Sequence, residues 1–372
     1  MGAKTAHPGK SGMKLLCAAG GTGGHVLPAL VVAQEFCRRD MERRVLFVGT
    51  ARGAETRLVP QAGYPLDLLT VGALQGQGIG ARLRTLLGLP AAFWKALRIL
   101  KEFQPDVVLG VGGYAAGPVM LAAIWKGIPV AVLEPNAVPG LANRWVGPYV
   151  ARAFVAFEEA LRFFRPGKGR VTGIPIRPEF FSIPIKTHQA PFTVLVFGGS
   201  QGARTLNRAV VEALPFLAQR KVDLMILLQA GQKEYDAVRD ACSKTDARVE
   251  VFAYAEQMSE LFGKADLVVC RAGANTIAEL SAAGRASILV PYPTAADQHQ
   301  LRNAEAMERV GAARLIVDKE FSGERFAKEV WELLHDAGEL RSMEKAARAA
   351  AHADATERIV EEIERLGEKN RA

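Results

Sequence analysis

Short, almost wholly apolar runs recur through the first half of the chain, and polar or amphipathic sequence separates them. The runs are KLLCAA, RVLFVG, DVVLGV, PVAVLE and AFVAF. Apolar runs without polar alternation are typical of parallel strands that helices cover on both faces. Helical spacing marks intervening segments such as LPALVVAQEFCRR and AAGPVMLAAIWK. The pattern predicts an α/β domain built on a doubly wound parallel sheet.

The second half of the chain repeats this pattern with the runs FTVLVFGG, VDLMILLQ, RVEVF, DLVVCRAG and ASILVP. Between the halves, residues 174–191 contain four prolines and no periodicity, which is typical of a linker. The segment from Ser322 to Leu366 is rich in Ala, Glu, Arg and Lys and should be helical. The predicted organisation is a disordered extension over 1–12, a domain over 13–173, the linker, and a second domain over 192–353.

Composition narrows the class of protein. The chain has 372 residues, 49% hydrophobic and 23% charged, which fits a water-soluble protein of two domains. No run reaches the roughly 18 apolar residues that a membrane span needs, and the basic N-terminus lacks the features of a signal peptide. Four cysteines without a CxxC pair favour a reducing compartment, so we expect a cytoplasmic location.

The charge balance favours an anionic partner. The formal net charge is +8 and the isoelectric point is near 9.4, as expected for a protein that binds nucleotides, nucleic acid or acidic lipid. Nucleic acid is the weaker candidate, because the sequence has no Lys/Arg block, no zinc-ligand spacing and no RNP-like aromatic pattern.

Glycine-rich turns follow predicted strands at four matching places. They are GGTGGH at 20–25, GVGGYAAG at 110–117, GGSQGAR at 198–204 and RAGANT at 271–276. In open α/β sheets, ligands bind beyond the carboxyl ends of the strands. Four such turns predict one ligand cleft between the two domains, and the alternative is that they are ordinary strand-to-helix turns.

The first turn does not fit a dinucleotide site. That fingerprint needs a third glycine where this chain has Val26, and an acidic residue at the end of the second strand, where it has Thr50. Binding of NAD is therefore disfavoured.

The two turns of the second half suit a nucleotide better. Residues 198–203 place successive backbone N–H groups and the hydroxyl of Ser200 at a helix N-terminus, where a diphosphate can bind without a metal. The alternative is a simple helix cap. Ala274, Asn275 and Thr276 open another helix, with Glu279 on the same face, where its carboxylate could accept both ribose hydroxyls. The alternative for Glu279 is a solvated helix residue.

Seven motifs together resemble one enzyme family, over residues from about Lys14 to Arg358. In order they are GGTGGHVLPAL, GVGGYAAGP, EPNAVPGLANR, GIPIRPE, VFGGSQGARTLN, CRAGANTIAEL and DQHQLRNA. The sequence is similar to the bacterial N-acetylglucosaminyltransferases that convert the undecaprenyl-diphosphate-muramyl-pentapeptide intermediate, lipid I, to lipid II in peptidoglycan synthesis. The resemblance implies the GT-B fold, two Rossmann-like domains facing a cleft. It also implies inverting transfer without cofactor or metal, and a last helix over 354–372 that crosses back to the first domain.

The resemblance also implies which residues bind UDP-N-acetylglucosamine (UDP-GlcNAc). The expected contacts are Thr22, Gly23, Gly24, Asn136, Arg177, Ser200, Ala255, Ala274, Asn275, Thr276, Glu279, and either His299 or Gln300. Within this set, Ala255 would contact uracil through its backbone and Glu279 would bind the ribose. The sequence departs from the family at FAYAEQM, where Phe-Ile-x-x-Met is usual, and at Pro135, where glutamine is common.

Inverting transfer needs a base for the acceptor hydroxyl, and His25 is the candidate. It lies at a helix N-terminus, where the dipole disfavours the imidazolium. The alternative is that His25 caps the helix or fixes the geometry of the acceptor. Tyr114 and Glu134 are candidates for positioning the acceptor.

A lipid acceptor implies membrane association. Residues 82–101, RLRTLLGLPAAFWKALRILK, combine apolar and basic side chains as helices on anionic membrane surfaces do, although core packing is the default interpretation of an apolar stripe. We therefore expect a peripheral protein on the cytoplasmic face of the plasma membrane, with proteins of cell-wall synthesis or cell division as candidate partners. The alternatives are a UDP-GlcNAc 2-epimerase, a transferase for another glycolipid, and a non-enzymatic nucleotide-sugar sensor or scaffold.

Overall fold

The computed structural model describes residues 12–72, 79–199, 201–220, 223–295 and 298–372, without the side chains of 79–87. Most of the predicted extension, residues 1–11, lies outside the described residues, as does Ser200. The chain divides into two compact units, the first comprising Met1–Ile176 with Asp354–Ala372 and the second comprising Arg177–Ala353.

The first unit contains a parallel sheet of seven strands in the order β3-β2-β1-β4-β5-β6-β7. The strands are β1 (Lys14–Ala19), β2 (Arg44–Thr50), β3 (Leu66–Leu69), β4 (Val107–Gly112), β5 (Val130–Glu134), β6 (Arg152–Val155) and β7 (Gly169–Val171). The strand order reverses direction between β1 and β4, so the turns that follow these two strands meet at the switch point where ligands bind in such sheets.

Helices cover both faces of this sheet. They are α1 (Gly23–Arg39), α2 (Glu55–Gln61), α3 (Ile79–Phe103), α4 (Ala116–Trp125), α5 (Leu141–Val146) and the C-terminal α14 (Ala355–Arg371). Alternate residues of β1 point to opposite faces: Leu16 and Ala18 pack with α3 and α4, whereas Leu15 and Cys17 pack with α1, α2 and α14. Burial on both faces explains why these strands carry no polar alternation.

The second unit repeats the architecture with six parallel strands in the order β10-β9-β8-β11-β12-β13. The strands are β8 (Phe192–Phe197), β9 (Leu224–Gln229), β10 (Arg248–Phe252), β11 (Leu267–Cys270), β12 (Ser287–Leu289) and β13 (Ala313–Leu315). The helices are α6 (Pro178–Phe181), α7 (Arg204–Gln219), α8 (Tyr235–Cys242), α9 (Met258–Lys264), α10 (Ala274–Ala283), α11 (His299–Arg309), α12 (Gly323–His335) and α13 (Ala337–Ala349). Here the switch point lies between β8 and β11.

The last helix, α14, packs against α1 of the first unit although it follows the second unit in the chain. Ile359, Val360 and Ile363 are fully buried in the core that α1 shares with β1. Ion pairs add to this contact, with Glu364 held by Arg43 at 2.6 Å. The burial of three branched apolar side chains is the main stabilising contribution of this helix.

Arginine side chains of the second unit donate hydrogen bonds to backbone carbonyls of the segment 177–191 and so attach this segment to that unit. Arg348 donates to Ile183 O, and the fully buried Arg285 donates to Pro184 O, both at 3.1 Å. His188 lies between two carboxylates, with Asp266 at 2.9 Å and Glu344 at 3.2 Å. This proline-rich stretch therefore follows the surface of the second unit rather than leaving it.

Candidate functional site

The first glycine turn lies at the switch point of the first sheet. The register between β1 and β4 shifts between Ala18 and Ala19, which brings Gly112 opposite Ala19. The N–H of Gly20 then donates to Gly112 O at 3.2 Å. Gly113 has φ +86°, and a Cβ there would lie 2.1 Å from Gly20 O, so the turn after β4 needs a glycine at this position to approach the first turn this closely.

His25 lies in the first turn of α1 and contacts the glycine turn. Its Nδ1 is 3.2 Å from Gly20 O, and a Cβ at Gly112 would lie 2.9 Å from its Nε2. A carbonyl oxygen only accepts hydrogen bonds, so this contact requires the proton on Nδ1. The neutral ring then has its lone pair on Nε2, as a general base requires.

Thr22, Gly23, Gly24 and Tyr114 also belong to the two turns that meet at this switch point. Thr22 is the exposed N-cap of α1, and Gly23 and Gly24 form its first turn. The N–H groups of His25 and Val26 donate to Thr22 O, at 3.1 and 3.4 Å, so the N–H groups of Gly23 and Gly24 are the ones that the start of this helix offers to a polar ligand. Tyr114 follows Gly113 and is 43% exposed, on the turn that contacts Gly20.

Glu134 ends β5 and is almost fully buried. Its Oε1 accepts from the backbone N–H and side-chain amide of Asn136, at 2.9 and 3.2 Å. Its Oε2 accepts from the Gly140 N–H at 3.1 Å and from the Asn143 amide at 2.8 Å. Burial raises the pKa of Glu134 to about 7, while these four hydrogen bonds act in the opposite direction. The geometry is that of a residue that organises its own loop and orients Asn136.

In the second unit, a buried glutamine connects the glycine turn at 198–204 to the segment that contains Ala255. Gln229 ends β9; its amide donates to Gly199 O at 2.8 Å, and its carbonyl oxygen accepts from the Ala255 N–H at 3.0 Å. The N–H of Gly202 also donates to Gly199 O at 3.0 Å. These bonds hold the turn 198–203, predicted to bind a diphosphate, in a fixed position relative to the segment predicted to contact uracil. Sequence reasoning missed Gln229, although its place at the carboxyl end of a strand was a usable signal.

The N-terminus of α10 gathers the nucleotide residues predicted by sequence. Ala274, Asn275 and Thr276 form its first turn behind the N-cap Gly273, and the buried Oδ1 of Asn275 has no hydrogen-bond partner among the described residues. Glu279 follows one turn later, with its Oε1 3.7 Å from a guanidinium nitrogen of Arg177. Burial raises the pKa of Glu279 to about 7, and Arg177 opposes that shift.

The two alternatives for the sugar contact begin α11. Gln300 accepts through its Oε1 from the Tyr292 N–H at 2.9 Å, while His299 is half-buried at the first position of the helix. Asn303, one turn later, is fully buried and donates to Ala272 O at 3.2 Å. This bond ties α11 to the α10 turn.

The proposed membrane segment falls on α3, and the structure divides its side chains. Of those described, Leu97 and Ile99 belong to the core, whereas Trp94 is 67% exposed. Trp125 of α4 is also 67% exposed, and Phe93 contacts both indoles, with ring centroids 6.3 and 6.4 Å apart. Leu86, Leu87, Arg82 and Arg84 lie where side chains are not described. The expected apolar face is thus partly core and partly an exposed aromatic pair.

The described residues lack two features, a membrane-spanning helix and a metal-binding cluster. No helix in them is long and apolar enough to cross a membrane. They contain no group of three or more His, Cys, Asp or Glu side chains arranged to hold a metal ion.

Known proteins match the chain over nearly its whole length. The glycosyltransferase family 28 N-terminal domain matches residues 15–155, and the family 28 C-terminal domain matches residues 193–359. The UDP-N-acetylglucosamine--N-acetylmuramyl-(pentapeptide) pyrophosphoryl-undecaprenol N-acetylglucosamine transferase of Myxococcus xanthus is 44% identical, covering 94% of this chain and 92% of its own. The enzyme of the same name from Geotalea uraniireducens is also 44% identical, covering 95% and 98%.

Solved structures agree. The crystal structure of Acinetobacter baumannii MurG has a TM-score of 0.78 and 31% identity, covering 95% of this chain and 99% of its own. A UDP-N-acetylglucosamine 2-epimerase structure from Listeria monocytogenes has a TM-score of 0.72 at 14% identity, over 96% and 97% of the two chains, which shows a shared fold alone. The two doubly wound units are those of the GT-B fold, as the sequence predicted. The chain belongs to glycosyltransferase family 28 and, within it, to the family of the pyrophosphoryl-undecaprenol N-acetylglucosamine transferases.

Proposed function

We propose that this enzyme transfers N-acetylglucosamine from UDP-GlcNAc to the C4 hydroxyl of the muramyl sugar of lipid I, giving lipid II for peptidoglycan. The observation that carries the proposal is 44% identity over 94% of the chain to a relative that bears this activity in its name. The relatives with epimerase names match at 14–16% identity and so contribute only the fold.

The donor nucleotide binds to the second unit. The carboxylate of Glu279 accepts from the ribose hydroxyls, and the Asn275 amide and the first N–H groups of α10 face the nucleotide. Because the N–H of Ala255 is already bonded to Gln229, the carbonyl of Ala255 is the group that accepts from uracil. His299 or Gln300 contacts the sugar, and Arg177, 3.7 Å from Glu279, favours the ionised form of that carboxylate.

Leaving-group stabilisation comes from the turn 198–203. Backbone N–H groups and the positive end of the α7 dipole stabilise the charge that develops on the departing UDP. Ser200, which lies outside the described residues, contributes its hydroxyl in this proposal. No metal and no cofactor take part, so transfer should continue in excess EDTA.

Acceptor activation belongs to the first unit. His25, with its proton on Nδ1, accepts the proton of the C4 hydroxyl at Nε2 as that oxygen attacks the anomeric carbon from the face opposite to UDP. Thr22, Gly23, Gly24 and Asn136 contact the sugars, and Tyr114 positions the acceptor. Glu134 acts through Asn136 by fixing its amide.

Because the proposed acceptor is a lipid, the enzyme must reach a membrane. It binds as a peripheral protein to the cytoplasmic face of the plasma membrane in this proposal. Support comes from the aromatic pair Trp94 and Trp125, which the basic side chains of Lys95, Arg98 and Lys126 accompany. Exposed aromatic rings with neighbouring cations suit the interface of an anionic bilayer. Proteins of cell-wall synthesis or cell division remain candidate partners.

The test is an assay of labelled GlcNAc transfer from UDP-GlcNAc to a lipid I analogue, with and without EDTA. We expect a lipid-linked disaccharide and UDP in equal amounts under both conditions. A parallel incubation of UDP-GlcNAc alone separates the alternatives, because a 2-epimerase would change the sugar nucleotide without any acceptor. Absence of lipid-linked product would overturn the proposal, and strict dependence on a divalent ion would overturn its metal-free part.

A further inference from the structure

A fully buried glutamate lies beside the first glycine turn and has no part in the chemistry described so far. Glu55 is the first residue of α2, and the space for its carboxylate is made by glycines. A Cβ at Gly20 would lie 2.7 Å from its Oε1, and a Cβ at Gly53 1.9 Å from its Oε2. A charged side chain is rarely buried in this way unless hydrogen bonds satisfy it.

Three donors satisfy the Glu55 carboxylate. Oε1 accepts from the backbone N–H of Thr50 at 2.7 Å and from its hydroxyl at 2.9 Å. Oε2 accepts from the Gly21 N–H at 2.9 Å. The first pair fixes the carboxylate to the end of β2, so the third bond connects that strand end to the glycine turn.

The Gly20–Gly21 peptide group is thereby held at both ends. Its N–H, which belongs to Gly21, donates to Glu55, while its C=O, which belongs to Gly20, accepts from Nδ1 of His25 at 3.2 Å. The next carbonyl, Gly21 O, accepts from the Ala54 N–H at 2.9 Å. A carboxylate, a peptide group and an imidazole therefore form one continuous chain of hydrogen bonds.

Hydrogen bonds in such a chain strengthen one another. A carboxylate that accepts from the N–H of a peptide polarises that peptide and makes its carbonyl oxygen a better acceptor. A stronger acceptor at Gly20 favours the imidazole tautomer with its proton on Nδ1, and it fixes the orientation of the ring. Both effects keep the lone pair on Nε2, the atom that receives the proton in the proposed reaction.

We infer that Glu55 is a positioning residue for His25, acting through the Gly20–Gly21 peptide. The inference rests on the proposed role of His25 as the base. Glu55 itself touches neither substrate nor reacting atoms. The N–H of Gly21 already donates to the carboxylate of Glu55, so this N–H of the first turn does not bind an anionic ligand.

The test compares Glu55→Gln with the matched control Thr50→Val. A glutamine has one acceptor oxygen, so either the Thr50 N–H or the Gly21 N–H loses its partner and the charge disappears. Thr50→Val keeps the shape of the side chain and removes one hydrogen bond from Oε1, but leaves the bond to Gly21 intact. Thermal melts of both variants report whether they fold.

The first measurement is independent of activity. The protein is labelled with ¹⁵N-histidine, and the signals of His25 are assigned as those that disappear in His25→Ala. At a pH where the imidazole is neutral, the chemical shifts of its two ring nitrogens show which nitrogen carries the proton. We expect Nδ1–H in the wild type and in Thr50→Val, and a larger fraction of Nε2–H in Glu55→Gln. A wild-type ring with mainly Nε2–H overturns the inference even if Glu55→Gln does not fold.

The second measurement is steady-state transfer by folded variants. We expect kcat of Glu55→Gln to fall about ten-fold or more, which is part of the roughly 10²–10⁴-fold rate enhancement that a positioned base contributes. The KM for UDP-GlcNAc should stay within about two-fold of the wild-type value. Thr50→Val should keep kcat within two-fold. Equal losses in both variants, or an unchanged kcat in Glu55→Gln, overturn the inference. A wild type without transfer activity would instead overturn the proposed function and leave the tautomer result standing.

Discussion

At the scale of single residues, the structure gives the prediction about His25 a different physical basis. The sequence argument assigned a neutral ring to His25 from the dipole of the helix that it opens. The structure adds a direct cause, because Gly20 O accepts from Nδ1 at 3.2 Å and so selects the tautomer. The proposed role as base is supported more directly by that contact than by the dipole.

Replacement of His25 by alanine should lower kcat by about 10²–10⁴-fold, since the acceptor hydroxyl would lose its base. The dissociation constant of UDP-GlcNAc should change little, because the residues proposed to bind the nucleotide belong to the second unit. Transfer kinetics and calorimetric titration with UDP-GlcNAc measure the two quantities. His335→Ala is the control, since His335 is exposed on α12 and bonds to Trp331 O. Turnover of His25→Ala near the wild-type rate would remove this residue from the base role.

The proposed contact of Glu279 with the ribose predicts that donor binding depends on pH. Burial raises its pKa to about 7, so a fraction of the free enzyme carries a neutral carboxyl near neutrality. In the proposed site the ionised form accepts from both ribose hydroxyls, so affinity should rise with pH through about 7 and then level off. If the ionised form alone binds, affinity for UDP-GlcNAc drops about ten-fold from pH 8 to pH 6.

The control for this pH dependence is Glu279→Gln, which cannot titrate. Its affinity should be weaker than that of the wild type at pH 8 and flat across the range. UDP-GlcNAc is the suitable probe, because its diphosphate is esterified at both ends and does not take up a proton near neutrality. A wild-type affinity that stays constant from pH 6 to pH 8 would contradict the assignment of Glu279 to the ribose.

At the scale of elements, sequence patterns identified the buried strands and one edge strand, β10, which the run RVEVF predicted, but they missed three other edge strands. The runs that predicted β1, β2, β4 and β5 are buried on both faces, so their apolar character is continuous. The three missed strands, β3, β7 and β13, each lie at an edge of a sheet. They have three or four residues, partly exposed, and therefore lack the continuous apolar signal.

In the candidate site, sequence predicted contacts between residues that are close in the chain and missed contacts between residues that are far apart in it. Turn residues such as Asn275 and Glu279 were predictable because one helix turn places them together. The partners of Gln229 and Glu55 were not predictable, because each side chain binds a segment far away in sequence; Glu55 binds a glycine 34 positions earlier. Thr50, taken as a missing acid in the dinucleotide test, in fact binds the carboxylate of Glu55 at the same strand end. Such pairings exist only once the sheet has formed.

The element α14 gives a prediction about stability. Ile363 is fully buried against the core of the first unit, so Ile363→Ala should lower the free energy of unfolding of that unit by about 2–5 kcal/mol. Urea unfolding, followed by circular dichroism, measures the effect. Glu361→Ala, an exposed position on the same helix, is the control and should change stability by less than about 0.5 kcal/mol. Equal effects of the two substitutions would show that the burial of Ile363 contributes nothing.

At the scale of the whole molecule, the net charge of +8 and the exposed aromatic pair give one prediction about the membrane. Wild-type protein should float with vesicles that contain anionic phosphatidylglycerol, bind weakly to pure phosphatidylcholine vesicles, and dissociate in high salt. Trp94→Ala with Trp125→Ala should lower partitioning into anionic vesicles by about ten-fold or more, since two indoles leave the interface.

Trp331→Ala is the matched control for this pair. Trp331 is also an exposed tryptophan with a cation over its ring, Arg220 at 5.0 Å, but it belongs to the second unit. Its removal should leave flotation unchanged, so the comparison separates a located membrane surface from general stickiness of exposed indoles. If the double variant floats like the wild type, or if Trp331→Ala loses as much binding, the aromatic pair is not the membrane contact. Loss of flotation together with normal transfer to a detergent-soluble acceptor would assign the pair to the membrane surface and leave the chemistry to the glycine turns.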